Sequence, residues 1–415
     1  MAPSASGPQF TVLPNGLRIA AAGMPGLTTL SAHLRWPLGT AGDPSDAQGA
    51  AVVIHEWLQR GAGDRNAHDQ ADAFDRYGAR RGGGVGREYA SLGVACLARD
   101  AAHVLPLVAD VVTAARLDDD EFEGARQLAL QELAAAADDP GERLLEAAVA
   151  ARYAGRYGRS AYGVRGHLAR LSAARVRAIA RARVVPAGAV LALAGGLDAA
   201  TMLALAATAF GGWRGAAPDR GAPTLRPRRR VHRSGSGGQT QIALIDDAVR
   251  PGEEGWTEQA VAMTALSGAT AARLWTVVRE ARGLAYEVGS GIHIVAGDAY
   301  RLTHAATAPE RASELIDVLH GELERCRDGL GADELRRAQR LLRAAVVFEA
   351  ETSGGRAARL ASDVVRFGRP RAVEEVEDAV AALTLVKVNG FLASRPPLAA
   401  TVVTTGPRPE GAWAA

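Results

Sequence analysis

One order of elements occurs twice in this chain, on either side of a stretch with no hydrophobic period, and that doubling limits the fold more than any other feature. The stretch runs from Gly211 to Gly238, is rich in Gly, Pro, Arg and Ser, and reads as a connector. Before it, FTVLPNGLRIAAAG predicts a strand pair turned at Asn15-Gly16. A helical stretch follows from Ala47 to Arg60, then a Gly-rich turn, then a strand around Tyr89 to Leu97. Residues 96–112 pass from a strand end into an amphipathic helix. After the connector, QIALID reads as a strand, Glu258 to Glu280 as a helix and Tyr286 to Ile294 as an alternating strand, and residues 305–322 repeat the strand-end-to-helix pattern. Each half closes on a late strand, VLALAGGLD in one and AATVVTTGP in the other. Two α+β lobes of one plan are expected, each a sheet covered by helices, at residues 1–213 and 238–415 with a linker at 214–237. A length of 415 residues agrees, being more than one hydrophobic core serves.

Composition excludes several functions. Hydrophobic content of 48% and charge of 23% describe an ordinary globular protein. The 48 basic and 46 acidic residues leave a net charge of +2, which removes the electrostatic case for a nucleic-acid binder. The cluster Arg226, Arg228, Arg229 and Arg230 then reads as a solvated part of the connector. Cys96 and Cys326 are too few for a disulfide framework or a thiolate metal cage. Nothing approaches the ~20 uncharged apolar residues of a membrane span, and the opening residues lack a basic segment followed by an apolar run. A cytoplasmic protein with no membrane partner is the expectation.

The helix around residue 55 holds the only His-Glu dipeptide. A His-Glu-x-x-His zinc site needs histidines four apart on one helical face, yet Gln59 stands four after His55. The inverted form, His-x-x-Glu-His, needs them at 52 and 56, which are Val52 and Glu56. The surrounding segment, GTAGDPSDAQGAAVVIHEWLQRGAG, nevertheless resembles the metal helix of the M16 metallopeptidases, the pitrilysin, insulinase and mitochondrial processing peptidase family. Gly49 and Gly61 match the flanking glycines. By that resemblance Val52 falls on the first histidine, His55 on the general-base glutamate, Glu56 on the second histidine and Glu132 on the third ligand. LPNGLRI resembles the family's opening hairpin, RQLALQELAAAADDP its third-ligand helix and YGRSAYGVRGHLARLSAARVRAI the stretch after it. The resemblance implies mainly antiparallel sheets and a chain forming half of a clam-shell. Valine offers no lone pair, and residues one apart on a helix point about 100° apart, so no metal and no cofactor are expected in this chain. The run YGARRGGGVGREYASLGV departs as well: Gly82 and Gly83 stand where catalytic members carry Asn-Ala, and three glycines suit a flexible turn better than a strand.

The second half keeps what the first lacks. TAARLWTVVREARGLAYEVGSG resembles the family's C-terminal signature, with Arg273, Leu274, Arg279, Glu280, Gly283, Leu284, Ala285 and Tyr286 in place. The resemblance implies that Arg279 and Tyr286 bind substrate and stabilise the oxyanion, acting as catalytic residues towards a metal held elsewhere. The guanidinium and the phenol are donors that can be aimed at such a charge. The expectation is therefore a subunit without zinc in a heterodimeric M16B metalloendopeptidase, inert alone. Its zinc-binding partner would carry an intact His-x-x-Glu-His, and the substrate would be an unfolded or leader peptide. The alternative is a catalytically retired M16 homologue serving as a structural or assembly subunit. An independent hydrolase finds no support, because no Ser-His-Asp or Cys-His grouping stands in a nucleophile-like context.

Overall fold

Side chains alternate between the two faces of the strand Thr29–Trp36, and from His33 to Trp36 their burial alternates too. Leu30, Ala32, Leu34 and Trp36 enter a core shared with Leu92, Val94 and Cys96 of the strand Ala90–Leu97. Ser31, His33 and Arg35 take the opposite face. The computed structural model describes residues 7–216 and 221–411. Its first sheet runs Gln9–Val12, Arg18–Gly23, Val190–Gly195, Thr29–Trp36, Ala90–Leu97, Arg80–Val85. Only Arg18–Gly23 and Val190–Gly195 are parallel neighbours. The opening hairpin turns at Asn15-Gly16 as expected. Gly16 has φ +86°, and the Asn15 side chain donates to the carbonyls of Phe210 and Trp213 at 2.9 and 3.1 Å.

The Gly-rich run is a strand, not the expected turn. Arg80–Val85 forms the sheet edge, with Gly82 opposite Gly93 and Gly83 opposite Leu92. A Cβ on Gly83 would collide with the Ser91 carbonyl oxygen. The glycine thus permits a close backbone approach, and the ladder holds a segment whose propensity is poor.

The α+β class is as expected, but neither of the chain's two compact units is a continuous half of it. The first comprises Met1–Ala135, Arg159–Gly221 and Phe348–Val373. The second comprises Ala136–Gly158, Ala222–Val347 and Glu374–Ala415. The first sheet needs the late helix Ser353–Phe367 to close its second face. Leu360, Ala361 and Val364 of that helix lie three and four apart and pack on Ala20, Ala22, Val190 and Ala192. Thr352 caps the helix by accepting from the Gly355 amide at 3.0 Å, and Gly368, at φ +76°, ends it.

The second sheet runs Val288–Val295, Asp298–Thr307, Thr240–Asp247, Thr401–Gly406, Arg230–Ser234, with only the last pair parallel. Part of the segment read as a linker therefore belongs to the fold. Arg230–Ser234 is an edge strand, and Thr224–Leu225 pairs with Tyr153–Ala154; residues 217–220 of that segment lie outside the described residues. The helix Pro140–Arg152, capped by Asp139, packs on Thr240–Asp247 and Thr401–Gly406. Ala312–Arg325 supplies Leu315, Ile316, Leu319 and Leu323 to a core with Ile242 and Leu244. The expected helix from Glu258 to Glu280 is divided. Trp256–Ser267 is α-helical, Gly268 follows it, and Trp275–Ala281 is a π-helical turn. Among the described residues no helix is long and apolar enough to cross a membrane.

Candidate functional site

Two places in the chain hold the residues singled out by the sequence, one in each unit. In the first, the helix Ala50–Leu58 presents Val52, His55 and Glu56. Gly49 at φ +102° starts this helix and Gly61 at φ +107° follows it, so both glycines of the motif occupy backbone that other residues rarely adopt. Sequence reasoning overlooked the anchor of this helix. Asp43 is buried and accepts from the amides of Gly49 and Ala51 at 2.8 and 3.1 Å, while Arg183 donates to it at 2.6 Å. A carboxylate ahead of an unbonded helix N-terminus was the signal available for it.

The His55 ring is committed to the protein. Its Nε2 lies 3.0 Å from the Ser91 carbonyl oxygen, which can only accept, so Nε2 carries a proton. Nδ1 lies 3.3 Å from Glu56 Oε1, and the ring stacks on Trp36 with centroids 5.9 Å apart. The His55 contact holds the Glu56 carboxyl below the usual carboxylate range. Glu132 moves the other way, raised first by burial and then by the charge of Glu56. The charges of Glu56 and His55 both act on Glu132. The three side chains do not fit zinc. Val52 has no donor atom and is buried, and among the described residues no three His, Cys, Asp or Glu side chains are grouped to hold a metal ion.

The second place is built on the π-helical turn. The Arg279 guanidinium carbon lies 4.3 Å from the ring centroid of Trp275 and 4.3 Å from that of Tyr286. The backbone reverses between Arg279 and Tyr286 at Gly283, with φ +56°, and the Leu284 amide donates to the Val278 carbonyl at 2.8 Å. Leu284 and Ala285 are buried, whereas Tyr286 is 78% exposed. Neither the Arg279 guanidinium nor the Tyr286 hydroxyl has a hydrogen-bonding or ion-pair partner among the described residues. The other arginine of the motif is structural: Arg273 grips Glu334 with two hydrogen bonds at 2.5 and 2.7 Å and donates to the Gly329 carbonyl at 2.7 Å. The π-helical turn and Trp275 were not legible beforehand, since the spacing alone suited an ordinary α-helix.

Residues 170–342 match the family model described as the peptidase M16 inactive domain. An uncharacterized zinc protease of Mycobacterium tuberculosis is 30% identical over 397 residues, covering 93% of this chain and 90% of that one. A second, from Streptomyces coelicolor, is 27% identical and covers 90% of this chain and 84% of its own. Among solved structures, a peptidase M16 inactive domain from Pseudomonas fluorescens superposes with a TM-score of 0.86 at 19% identity, covering 97% of this chain and 98% of that one. A protease from Helicobacter pylori superposes with a TM-score of 0.84 at 15% identity, over 97% of this chain and 100% of its own.

Proposed function

The chain belongs to the M16 peptidase family, and we propose that it serves there as the subunit without zinc in a two-chain metalloendopeptidase, contributing Arg279 and Tyr286 to peptide bound at a partner's metal site. The observation that carries this reading is the pair of unengaged donors. The guanidinium and the phenol are held together by stacking, yet no acceptor of the described residues uses either. Groups retained only for stability would be expected to have partners, as Arg273 has.

The zinc of the partner would supply the activated water and polarise the scissile carbonyl. Arg279 would donate to a substrate carbonyl and keep the peptide extended. Tyr286 would donate its hydroxyl proton in a hydrogen bond to the oxygen on which negative charge grows, without transferring it. Such donors act most strongly when already oriented before reaction, and the aromatic clamp orients the guanidinium. The substrate class is unfolded or leader peptide, and the zinc-bearing partner is an M16 chain with an intact His-x-x-Glu-His. Steady-state cleavage of a fluorogenic peptide tests the reading. This chain alone and the partner alone should be inactive and their mixture active, with co-elution on a sizing column. An active partner unaffected by this chain would overturn it.

A further inference from the structure

The face of the first sheet opposite its main core carries positive charge that enters no close ion pair among the described residues. His33 and Arg35 share that face with Ser31, whose Oγ lies 2.9 Å from Ser353 Oγ of the helix Ser353–Phe367. Pairing extends the face outward in three rows: Ser31, Ala95 and Arg80; His33, Gly93 and Gly82; Arg35, Ser91 and Gly84. The apolar side of the helix covers Ala20, Ala22, Val190 and Ala192, while the outer rows stay half-buried or exposed. Their floor is almost bare of side chains, so an extended backbone can approach it closely.

The charge above this floor is distinctive. Arg35 leans over the Tyr89 ring at 5.1 Å, and neither Arg35, Arg80 nor Arg366 enters an ion pair among the described residues. Burial and the nearby charge of Arg366 weaken the hold of Arg35 on its proton, with Tyr89 and Glu88 offsetting this in part. The His33 ring is pushed down to about 4, first by burial and then by Arg35. Asp363 and Glu349 act on Arg366 only at a distance, their ion pairs going to other arginines: Asp363 takes Arg371 at 2.8 Å, and Glu349 lies 3.5 Å from Arg359. A desolvated cation without a partner is costly, and a carboxylate of a ligand would relieve it.

We propose that this face is a docking surface for an acidic stretch of peptide, its carboxylates meeting Arg35, Arg80 and Arg366 over the floor of Gly82, Gly84 and Gly93. The reading of the chain as a peptide-handling subunit supplies the choice of peptide over other polyanions, and the net charge of +2 agrees with that choice.

Fluorescence anisotropy of short labelled peptides on the purified full chain tests the proposal without any partner. A Glu-rich peptide should bind about tenfold or more tighter than a Lys-rich peptide of equal length, and added salt should weaken it. Arg35→Gln should cost about tenfold, the order expected for one charge-assisted hydrogen bond, and Arg35→Lys should recover part of the loss. Arg366→Gln, on the helix surface, should weaken binding in the same direction and decides the matter should Arg35→Gln not fold by circular dichroism. Equal affinity for both peptides would overturn the proposal. So would unaltered binding by the folded variants, or an oligonucleotide of matched charge displacing the peptide at lower concentration. Because nothing here depends on cleavage, an inactive mixture with a partner leaves this surface standing, and a failure here leaves the roles of Arg279 and Tyr286 untouched.

Discussion

The Arg279 guanidinium carbon sits 4.3 Å from the ring centroid of Tyr286 and at the same distance from that of Trp275. A cation held near two aromatic rings loses rotational freedom, each contact contributing on the order of 0.5–2 kcal/mol. The backbone on either side of Gly283 sets up the arrangement. The π-helical turn carries Trp275 and Arg279 together, and the left-handed Gly283 brings the chain back so that Tyr286 faces the same guanidinium.

Tyr286→Phe keeps the ring and the clamp and removes one hydroxyl. In the mixed complex it should leave assembly intact and lower kcat by about 100- to 1000-fold, the usual cost of one oxyanion donor. Trp275→Leu should act more mildly and raise KM together with the loss in kcat, because the guanidinium survives but loses one of its two ring contacts. Steady-state kinetics with co-elution checked on a sizing column reads both. Unchanged rates in assembled Tyr286→Phe would assign the residue a structural role.

Zinc content follows from His55. With Nε2 on the Ser91 carbonyl and Val52 lacking a donor, the purified chain should retain far less than one zinc per molecule after dialysis, as measured by mass spectrometry. Val52→His, His55→Glu and Glu56→His together restore the motif beside Glu132, whose raised pKa reflects burial and the charge of Glu56. That triple variant should take up zinc, detected by the same assay. Near-stoichiometric zinc in the unaltered chain would show that the side chains rearrange to bind it.

Much of the fold was readable because alternation and turn chemistry are local. The Asn15-Gly16 hairpin, the strand Ala90–Leu97 and the late strand Val190–Gly195 lie close to where the sequence put them. The edge strand Arg80–Val85 was not readable, since its glycines argue against a strand and only pairing with Ala90–Leu97 overrides them. Nor was the ownership of Ser353–Phe367. An apolar stripe at Leu360, Ala361 and Val364 announces a buried helix face but does not name the sheet it covers. At the candidate site, the family signature singled out Arg279 and Tyr286 but not their contact with each other. The contact of Trp275 with Arg279 is the i, i+4 pairing of a helix face, but the signature by itself did not single Trp275 out.

His33 should make the protein sensitive to acid. Its folded pKa, about 4, lies below the ordinary 6.5. The unfolded chain therefore binds the proton more readily. The stability from keeping His33 neutral is complete above about pH 6.5 and falls as the pH drops through that value towards 4. By pH 5 the loss from this residue amounts to about 2 kcal/mol. Urea melts of the natural chain and of His33→Gln, at pH 7.5 and pH 5, isolate it: the natural chain should lose more stability between the two. Equal losses would place the His33 ring in a more solvated setting.

The exchange of helices between units predicts that a fragment ending at residue 213 cannot fold as a lobe. It lacks Leu360, Ala361 and Val364, each almost wholly buried, and so uncovers Ala20, Ala22, Val190 and Ala192 across one face of its sheet. Full burial of a Leu or Val contributes about 1.5–3 kcal/mol, and domains are stable by only about 5–15 kcal/mol in all. The Ser31–Ser353 hydrogen bond goes as well. The fragment also keeps Pro140–Arg152, whose Leu144, Ala147, Ala148 and Val149 are buried in the second unit and would be left without a sheet. It should bind a hydrophobic dye and melt without cooperativity. Joining residues 348–373 to it through a flexible tether, with 136–158 replaced by a short Gly-Ser link, should restore a cooperative transition in circular dichroism. A fragment ending at 213 that melts cooperatively by itself, near the temperature of the full chain, would show that the late helix is dispensable to the first sheet.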